Sequence, residues 1–492
     1  MSTISKKDRK AAEMKMKKFT IEEVSRHCST EDFWTIIEDK VYDLSGYTSK
    51  HPGGKLILCA AGCDSTVVFN HYHFYPQTRH RSLLAPMQIG VIADGEKKSP
   101  QMGEFYQALS VKVGSAMTKL EKHPLQAQFL FFFDYFVLVF CVLFGSYMVY
   151  YDQYMDNVPL VIAVSCMAHF FNTRVTGQCH AVLHMQVFGP TFVTIAQYMF
   201  HLIAIKSLYA FHLPDERAIF RRKMNEDSQG ARGEWFGKRG PYEHQGIHHV
   251  RGATIEHDMC LEFACLNGLN HLSPKQPFKA VHHLQRFFVF RMLAISFFLY
   301  SMDIAMPLQS SLAVTFLTPL PYQLWDEMIC GMIGFPFTLC YVVTSVLLPY
   351  YCGTVPFLLA WAIRLALNMP TFFYAQHEWD SDIAEEVGDS DWGRYNAQTC
   401  TSLHGDSMWW HPIVWLSGGC CPGTLTYHLE HTLFPGMNYL NLAKIASICE
   451  STCKDFNVPY HRIDTYTDLY NTYTNHLINS KEEKSCDTKK QE

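Results

Sequence analysis

Residues Phe129 to Tyr151 read FLFFFDYFVLVFCVLFGSYMVYY, an almost unbroken apolar run with Asp134 as its one charge. As a helix rising about 1.5 Å per residue, this run can cross a hydrocarbon core of roughly 30 Å. Val158 to Phe171 is shorter and is expected to return beside it as a hairpin. Phe287 to Met306, Met328 to Tyr351 and Val355 to Phe373 are further apolar stretches. Phe192 to Phe211 carries His201 and Lys206 and suits the membrane interface better. Taken together, these segments predict about four to six transmembrane or interfacial helices. A mean hydropathy of −0.04 over the 492 residues conceals them, because a polar front and polar loops offset the apolar runs.

The remaining composition narrows the class of protein. With 48% hydrophobic and 18% charged residues, the chain is too apolar for disorder. A net charge of −5 gives no reason to expect a nucleic-acid partner. The basic run from Lys6 to Lys18 reads as a solvated tail, or as a segment lying on a membrane surface. The 17 cysteines follow no paired spacing and no apolar signal peptide opens the sequence, so a reducing, cytosol-facing setting is expected. Histidine, at 25 residues, is the anomaly.

Upstream of the apolar runs, Lys17 to Asp94 has the short elements and mixed charge of a small soluble domain. Within it, His51-Pro52-Gly53-Gly54 is followed by Asp64-Ser65-Thr66 and by Phe69-Asn70-His71-Tyr72-His73. A b-type haem needs two neutral imidazoles on opposite faces of the iron, carried by separate segments. His51 precedes a turn whose glycines let backbone approach a macrocycle closely, and His73 follows a short amphipathic helix. A surface turn with a solvated histidine is the plainer reading of His51, and His71 competes with His73 for the second position.

Trp34, Ile36-Ile37, Val41-Tyr42-Asp43-Leu44, the His-Pro-Gly-Gly turn, Gly62-Cys63-Asp64, Phe69 and His73 together resemble the cytochrome b5 family. The resemblance implies a haem b ligated by His51 and His73, His73 fitting the family's spacing from Phe69 better than His71.

Three histidine clusters punctuate the apolar region. His180 and His184 are four apart and share a helix face; His244 and His248 are again four apart, with His249 following; His428 and His431 are three apart. A lone histidine near a membrane helix is ordinarily a satisfied core or interface residue. Three clusters at helical spacing, each beyond an apolar segment, instead point to a metal site, because imidazole suits iron.

His180-Ala-Val-Leu-His184, Glu243-His244-Gln-Gly-Ile-His248-His249 and Tyr427-His428-Leu-Glu-His431-Thr-Leu-Phe-Pro435 resemble the three boxes of membrane fatty-acid desaturases and related hydroxylases. With a cytochrome b5-like front, the arrangement resembles the front-end desaturases, and Trp415-Leu416-Ser417-Gly418-Gly419 adds to the likeness. The departures are specific. The second box has three residues before its pair where the family usually has two. Thr432 stands where the third box usually has a second histidine, and His428 where front-end enzymes commonly have glutamine. The second box, with Ala253-Thr254, also resembles membrane alkane hydroxylases. A hydroxylase and a partly degenerate haem-bearing membrane protein therefore stand as alternatives.

The resemblance implies two iron ions held by His180, His184, His244, His248, His249, His428 and His431. His404 is the first choice for a further ligand, with His411 and His377 behind it, and Asp258 is a candidate acceptor for an imidazole N–H. His282-His283 lacks a partner motif and reads as a solvated or interfacial loop. The implied reaction is oxygen-dependent desaturation of a fatty acyl chain, as acyl-CoA or acyl-lipid. Electrons would come from NADH-cytochrome b5 reductase or an equivalent, through the fused haem domain.

The expected fold is an α+β cytochrome b5-like domain at 17–95, a linker at 96–124, an all-α multi-span membrane domain with a cytosolic histidine-box cap at 125–445, and a cytosolic tail at 446–492. Lys489-Lys490-Gln491-Glu492 resembles a dilysine retrieval signal, implying a multi-pass endoplasmic-reticulum membrane protein with both termini cytosolic.

Overall fold

A computed structural model describes residues 16–53, 57, 60–74, 77–96, 99–118, 120, 125–152, 154–184, 186–188, 249, 271, 278–300, 336–372, 391–403 and 426–479.

The N-terminal unit is α+β. Strands β1 (Lys17–Phe19), β2 (Trp34–Ile37), β3 (Lys40–Asp43) and β4 (Gln88–Ile92) form one sheet in the order β1-β4-β3-β2, with β1 parallel to β4 and the other pairs antiparallel. Helices α1 (Ile21–Ser25), α2 (Thr66–Tyr72) and α3 (Gln77–Leu84) accompany it. Phe19, Val24, Ile36, Val41 and Ile92 pack as one cluster and Phe33, Ile37, Tyr42, Leu44 and Ala61 as another. Such alternation along β2 and β3 buries both faces of the sheet.

Between β2 and β3 the chain turns on Glu38 and Asp39, both left-handed at φ 52° and 61°. This is the backbone of a two-residue hairpin, normally filled by Asn-Gly. Here the side chains are used: Glu38 pairs with Arg81, and Asp39 Oδ1 accepts the Ser99 N–H at 2.9 Å.

Asp64-Ser65-Thr66 anchors α2 to the sheet. Asp64 Oδ1 accepts the Thr66 N–H at 2.9 Å, one of the donors a helix start leaves without a partner. Thr66 Oγ1 accepts the Glu38 N–H at 2.8 Å, and the Ser65 and Thr35 hydroxyls are 2.7 Å apart. Gly62, at φ +70°, lies where a Cβ would come within 3.0 Å of the Ser25 carbonyl oxygen, so only glycine fits.

The segment read as a linker contains α4 (Gly103–Met117), which buries Phe105, Tyr106, Leu109 and Val113 in the core of the second unit. Val67 of α2 joins that core, as do Trp392 and Phe434. The haem-domain helix is thus packed on the second unit.

That unit is helical. The long apolar run forms α5 (Leu125–Tyr151), and the expected return is longer than read, as α6 (Val158–Leu183). The extra turns of α6 lead to His184 of the first histidine box, which is buried. α7 (Phe288–Tyr300), α8 (Pro336–Tyr351) and α9 (Thr354–Phe372) match three further apolar runs, while Phe192 to Phe211 lies outside the described residues. Among the described residues, α5 alone is long and apolar enough to cross a membrane. Its Phe129, Phe133, Phe136 and Phe140 are exposed at helical spacing, an apolar stripe of the kind a hydrocarbon phase covers.

The opposite side of α5 is tightly packed. Arg174 on α6 donates from Nε to Asp134 Oδ1 at 2.9 Å and places its terminal nitrogen 2.9 Å from Oδ2. Gly145 allows α8 close, since a Cβ there would lie 2.2 Å from the Thr344 side chain. Over Val343–Leu347 α8 widens into a π-turn. The Ser345 carbonyl there accepts from Ser165 Oγ and from Arg364, each at 2.8 Å, so the altered backbone is satisfied internally.

Past α9, helix α10 (Trp392–Thr399) leads into β5 (Thr401–Leu403), and α11 (His428–Leu433) carries the third box. The span read as a tail continues as α12 (Tyr439–Asp455), β6 (His461–Ile463) and α13 (Tyr466–Asn479), β6 pairing in parallel with β5. The C-terminal lysines lie outside the described residues.

Candidate haem cradle and metal centre

His51 ends a helical turn, its N–H donating to Tyr47 O at 3.0 Å, and Gly53 N–H reaches its Nδ1 at 3.1 Å. His73 caps α2 and is held twice: its Nδ1 is 3.0 Å from Phe69 O, and its ring stacks on Phe69 at 4.8 Å. Fixing Nδ1 in this way directs Nε2 outward as the ligating atom. The His51 and His73 rings face each other with centroids 5.9 Å apart. Two imidazoles sharing one metal at about 2 Å per bond need centroids about 6 Å apart. The pair therefore fits a haem iron. Burial, and then the neighbouring His80, push the His51 imidazole down to about 4, keeping it neutral and able to ligate.

His71 does not compete for this position. Residues two apart on a helix point about 200° apart, so His71 lies on the face of α2 opposite His73. It is fully buried, 4.4 Å ring to ring from Trp392, and burial pushes its imidazole down to about 3.

On that side the histidine boxes converge. His184, His249 and His431, one from each box, are each at most 2% exposed, and a ligand atom of each lies within 4.8 Å of the others. Their ring centroids are 4.7, 5.0 and 5.0 Å apart, and His184 Nε2 is 3.2 Å from His249 Nε2. Two imidazole nitrogens about 2 Å from one ion, set roughly at right angles, come about 3 Å apart. An all-imidazole donor set suits iron among other first-row metals. His184 Nδ1, turned away from this point, is 2.7 Å from the Tyr72 hydroxyl, and the Gln186 amide is 3.3 Å from His431 Nδ1.

The other expected ligands divide. His180 sits one turn before His184 on α6, and His428 is buried at the start of α11 but is outside the converging group. His244, His248, His404, His411, His377 and Asp258 lie outside the described residues. His282, read as a loop residue, is 1% exposed and accepts the Lys279 N–H at 3.0 Å, so it is a satisfied core histidine. Behind His431, Glu430 is fully buried; burial pushes it up to about 7 although Tyr460 donates to it at 2.6 Å.

Tyr72, Gln186 and Trp392 belong to none of the three histidine boxes, although each adjoins the buried histidines. Tyr72 is still legible in the sequence, since it adjoins the haem-ligand candidate on the helix face that the cradle does not use.

Opposed imidazoles in one unit and converging imidazoles in the next suit a haem and a separate metal centre. Residues 20–93 match the cytochrome b5-like heme/steroid binding domain, and residues 239–464 match the fatty acid desaturase family. The chain is 24% identical to acyl-lipid (8-3)-desaturase B of Dictyostelium discoideum, over 94% of each chain. It is 23% identical to the acyl-lipid (8-3)-desaturase of Physcomitrium patens, over 94% of this chain and 92% of that one. Its front is 43% identical to a cytochrome B5-like protein of Arabidopsis thaliana, over 15% of this chain and 60% of that protein. No solved structure matches. The chain is a fatty acid desaturase with a fused cytochrome b5 domain, and the two families imply a haem and a di-iron centre.

Proposed function

We propose that this desaturase introduces a double bond near the carboxyl end of a polyunsaturated acyl chain carried on a lipid. Two of the relatives above are named acyl-lipid (8-3)-desaturases, which favours acyl-lipid over acyl-CoA. The observation that carries the reading is the convergence of His184, His249 and His431 from three distant boxes, one face of α2 away from the His51–His73 cradle.

In this reading His51 and His73 hold the haem. His184, His249 and His431 hold the irons together with His180, His244, His248 and His428, and His404 supplies a further ligand. Iron bound there would supply the activation of dioxygen needed to attack an unactivated methylene. The protein's part is to fix the imidazoles, keep them neutral by burial and exclude water. Fusing the haem domain holds the donor at high effective concentration beside its acceptor. A cytochrome b5 reductase would reduce the haem.

The apolar stripe of α5 and the apolar helices α7 to α9 favour a multi-pass membrane protein, with a haem domain at 17–95 and a membrane domain beginning at 125. Lys489 and Lys490 favour endoplasmic-reticulum residence with both termini in the cytosol. Replacing both lysines by serine is expected to move the protein towards the Golgi, and unchanged location would reject the signal.

Function is tested by expression in a host lacking polyunsaturated lipids, with fatty acids fed and lipids profiled. A new double bond on the carboxyl side of an existing one is expected. A hydroxylated product, or none in a haem-loaded and iron-loaded protein, would reject the reading.

A further inference from the structure

We propose that His71, carried by the haem domain, supplies a further imidazole ligand to the desaturase metal centre. The inference rests on the metal-centre reading above and adds to it a residue outside the three histidine boxes.

His71 is 0% exposed, and neither ring nitrogen has a hydrogen-bond partner among the described residues. A neutral imidazole carries one donor and one acceptor, and enclosing both unmatched is costly. Packing alone gives no reason for it, because an apolar side chain would fill the space beside Trp392 without that cost. Something that binds a ring nitrogen is therefore called for at this place.

The neighbouring ring is His249, with centroids 6.3 Å apart and planes at 76°. His249 already faces His184 and His431 at the closer spacing of 4.7 and 5.0 Å. The shorter distances suit imidazoles side by side on one ion. His71 stands outside the three imidazoles whose ligand atoms lie within 4.8 Å of one another, and its longer spacing from His249 resembles the 5.9 Å of the His51–His73 pair, as suits a ligand on the far side of the centre. Next along the chain, the Tyr72 hydroxyl contacts His184 Nδ1 at 2.7 Å, so the same turn of α2 already touches the centre. The third box offers Thr432 where a second adjacent imidazole would stand. That hydroxyl is turned to its own helix, donating to His428 O at 2.9 Å. The chain thus lacks an imidazole beside His431 on α11 and encloses an otherwise unexplained one on α2.

The full-length protein, purified in detergent, tests this by non-haem iron per haem, X-ray absorption at the iron edge and the haem spectrum. His71→Leu is expected to lower non-haem iron to roughly half of wild type or less, with fewer imidazoles per iron and an unchanged bis-histidine haem spectrum. His71→Gln, which keeps polarity and approximate size, should lose iron likewise, and it replaces the leucine variant if that protein fails to fold. Iron content and edge spectrum equal to wild type in either folded variant would overturn the proposal and leave His71 as an enclosed or water-bridged core histidine. A wild-type protein that holds haem but no other iron would instead refute the metal-centre reading, and this inference with it.

Discussion

The Tyr72 hydroxyl lies 2.7 Å from Nδ1 of His184, joining the last residue of the haem-domain helix to the first histidine box across 112 positions of chain. His184 presents its other nitrogen to His249 at 3.2 Å, so with a metal held on that side Nδ1 would carry the proton and donate it to the phenol oxygen. A ligating histidine is usually oriented by such an outer partner. Here the partner comes from a different domain, one residue before the haem-ligand candidate His73. Docking of the two domains and alignment of the metal centre are therefore one structural event.

Tyr72→Phe keeps the ring and removes only the acceptor. Metal affinity is expected to fall about 10- to 100-fold, with the haem spectrum unchanged. Stopped-flow reoxidation of the reduced haem by oxygen and substrate should slow with it. Wild-type iron affinity and reoxidation in the phenylalanine variant would show that the contact is incidental.

His73→Ala should abolish the low-spin bis-histidine haem spectrum, and His71→Ala should leave it intact. The basis is geometric: His73 faces His51 at 5.9 Å, whereas His71 faces Trp392 and His249 from the other side of α2. The opposite pattern of spectra would reverse the assignment.

The sequence was legible where one local rule governs each residue. The apolar run of α5, the Asp64-Ser65-Thr66 start of α2 and the box histidines His184, His249 and His431 could all be read directly. The resemblance to the cytochrome b5 spacing from Phe69 favours His73 over His71, and the 5.9 Å between the His51 and His73 rings agrees with it. What escaped depends on partners distant in sequence. The 96–124 stretch looks like a linker because its helix is amphipathic and of mixed polarity, yet Phe105 and Tyr106 are buried against Phe456, Trp392 and Phe434. Glu38-Asp39 carries no hairpin signature, because side-chain contacts to Arg81 and Ser99 replace the usual Asn-Gly preference. His282 reads as a loop residue because its partners, Lys279 and the ring of Phe278, lie in a local turn with no periodicity.

The buried Asp134–Arg174 pair gives a stability prediction. With side chains 1% and 5% exposed, each charge depends on the other for its solvation. Asp134→Leu or Arg174→Leu alone should destabilise the protein by about 3–5 kcal/mol, because the remaining charge is buried unpaired. The double leucine variant should recover most of that loss. Thermal denaturation in detergent measures all three, and additive losses would show that the pair is not coupled.

The Glu38–Arg81 pair predicts how the haem domain responds to acid. Burial alone would raise the Glu38 carboxyl, but Arg81 grips both oxygens and holds it below its ordinary value of 4.5. The unfolded chain therefore binds the proton more readily than the folded one. The stabilisation is present above the ordinary carboxylate range and is lost as pH falls through the depressed folded value. Both side chains are over one-third exposed, so solvent and salt weaken the effect. Glu38→Gln keeps the turn and removes the titration. In the full-length protein, followed by the haem Soret band, the variant should be less stable than wild type at neutral pH and should converge with it below the folded value. High salt should narrow the difference at neutral pH. A gap between the two proteins that stays constant from neutral to acid pH would show that the carboxylate charge contributes nothing, and that only the hydrogen-bond geometry of the turn matters.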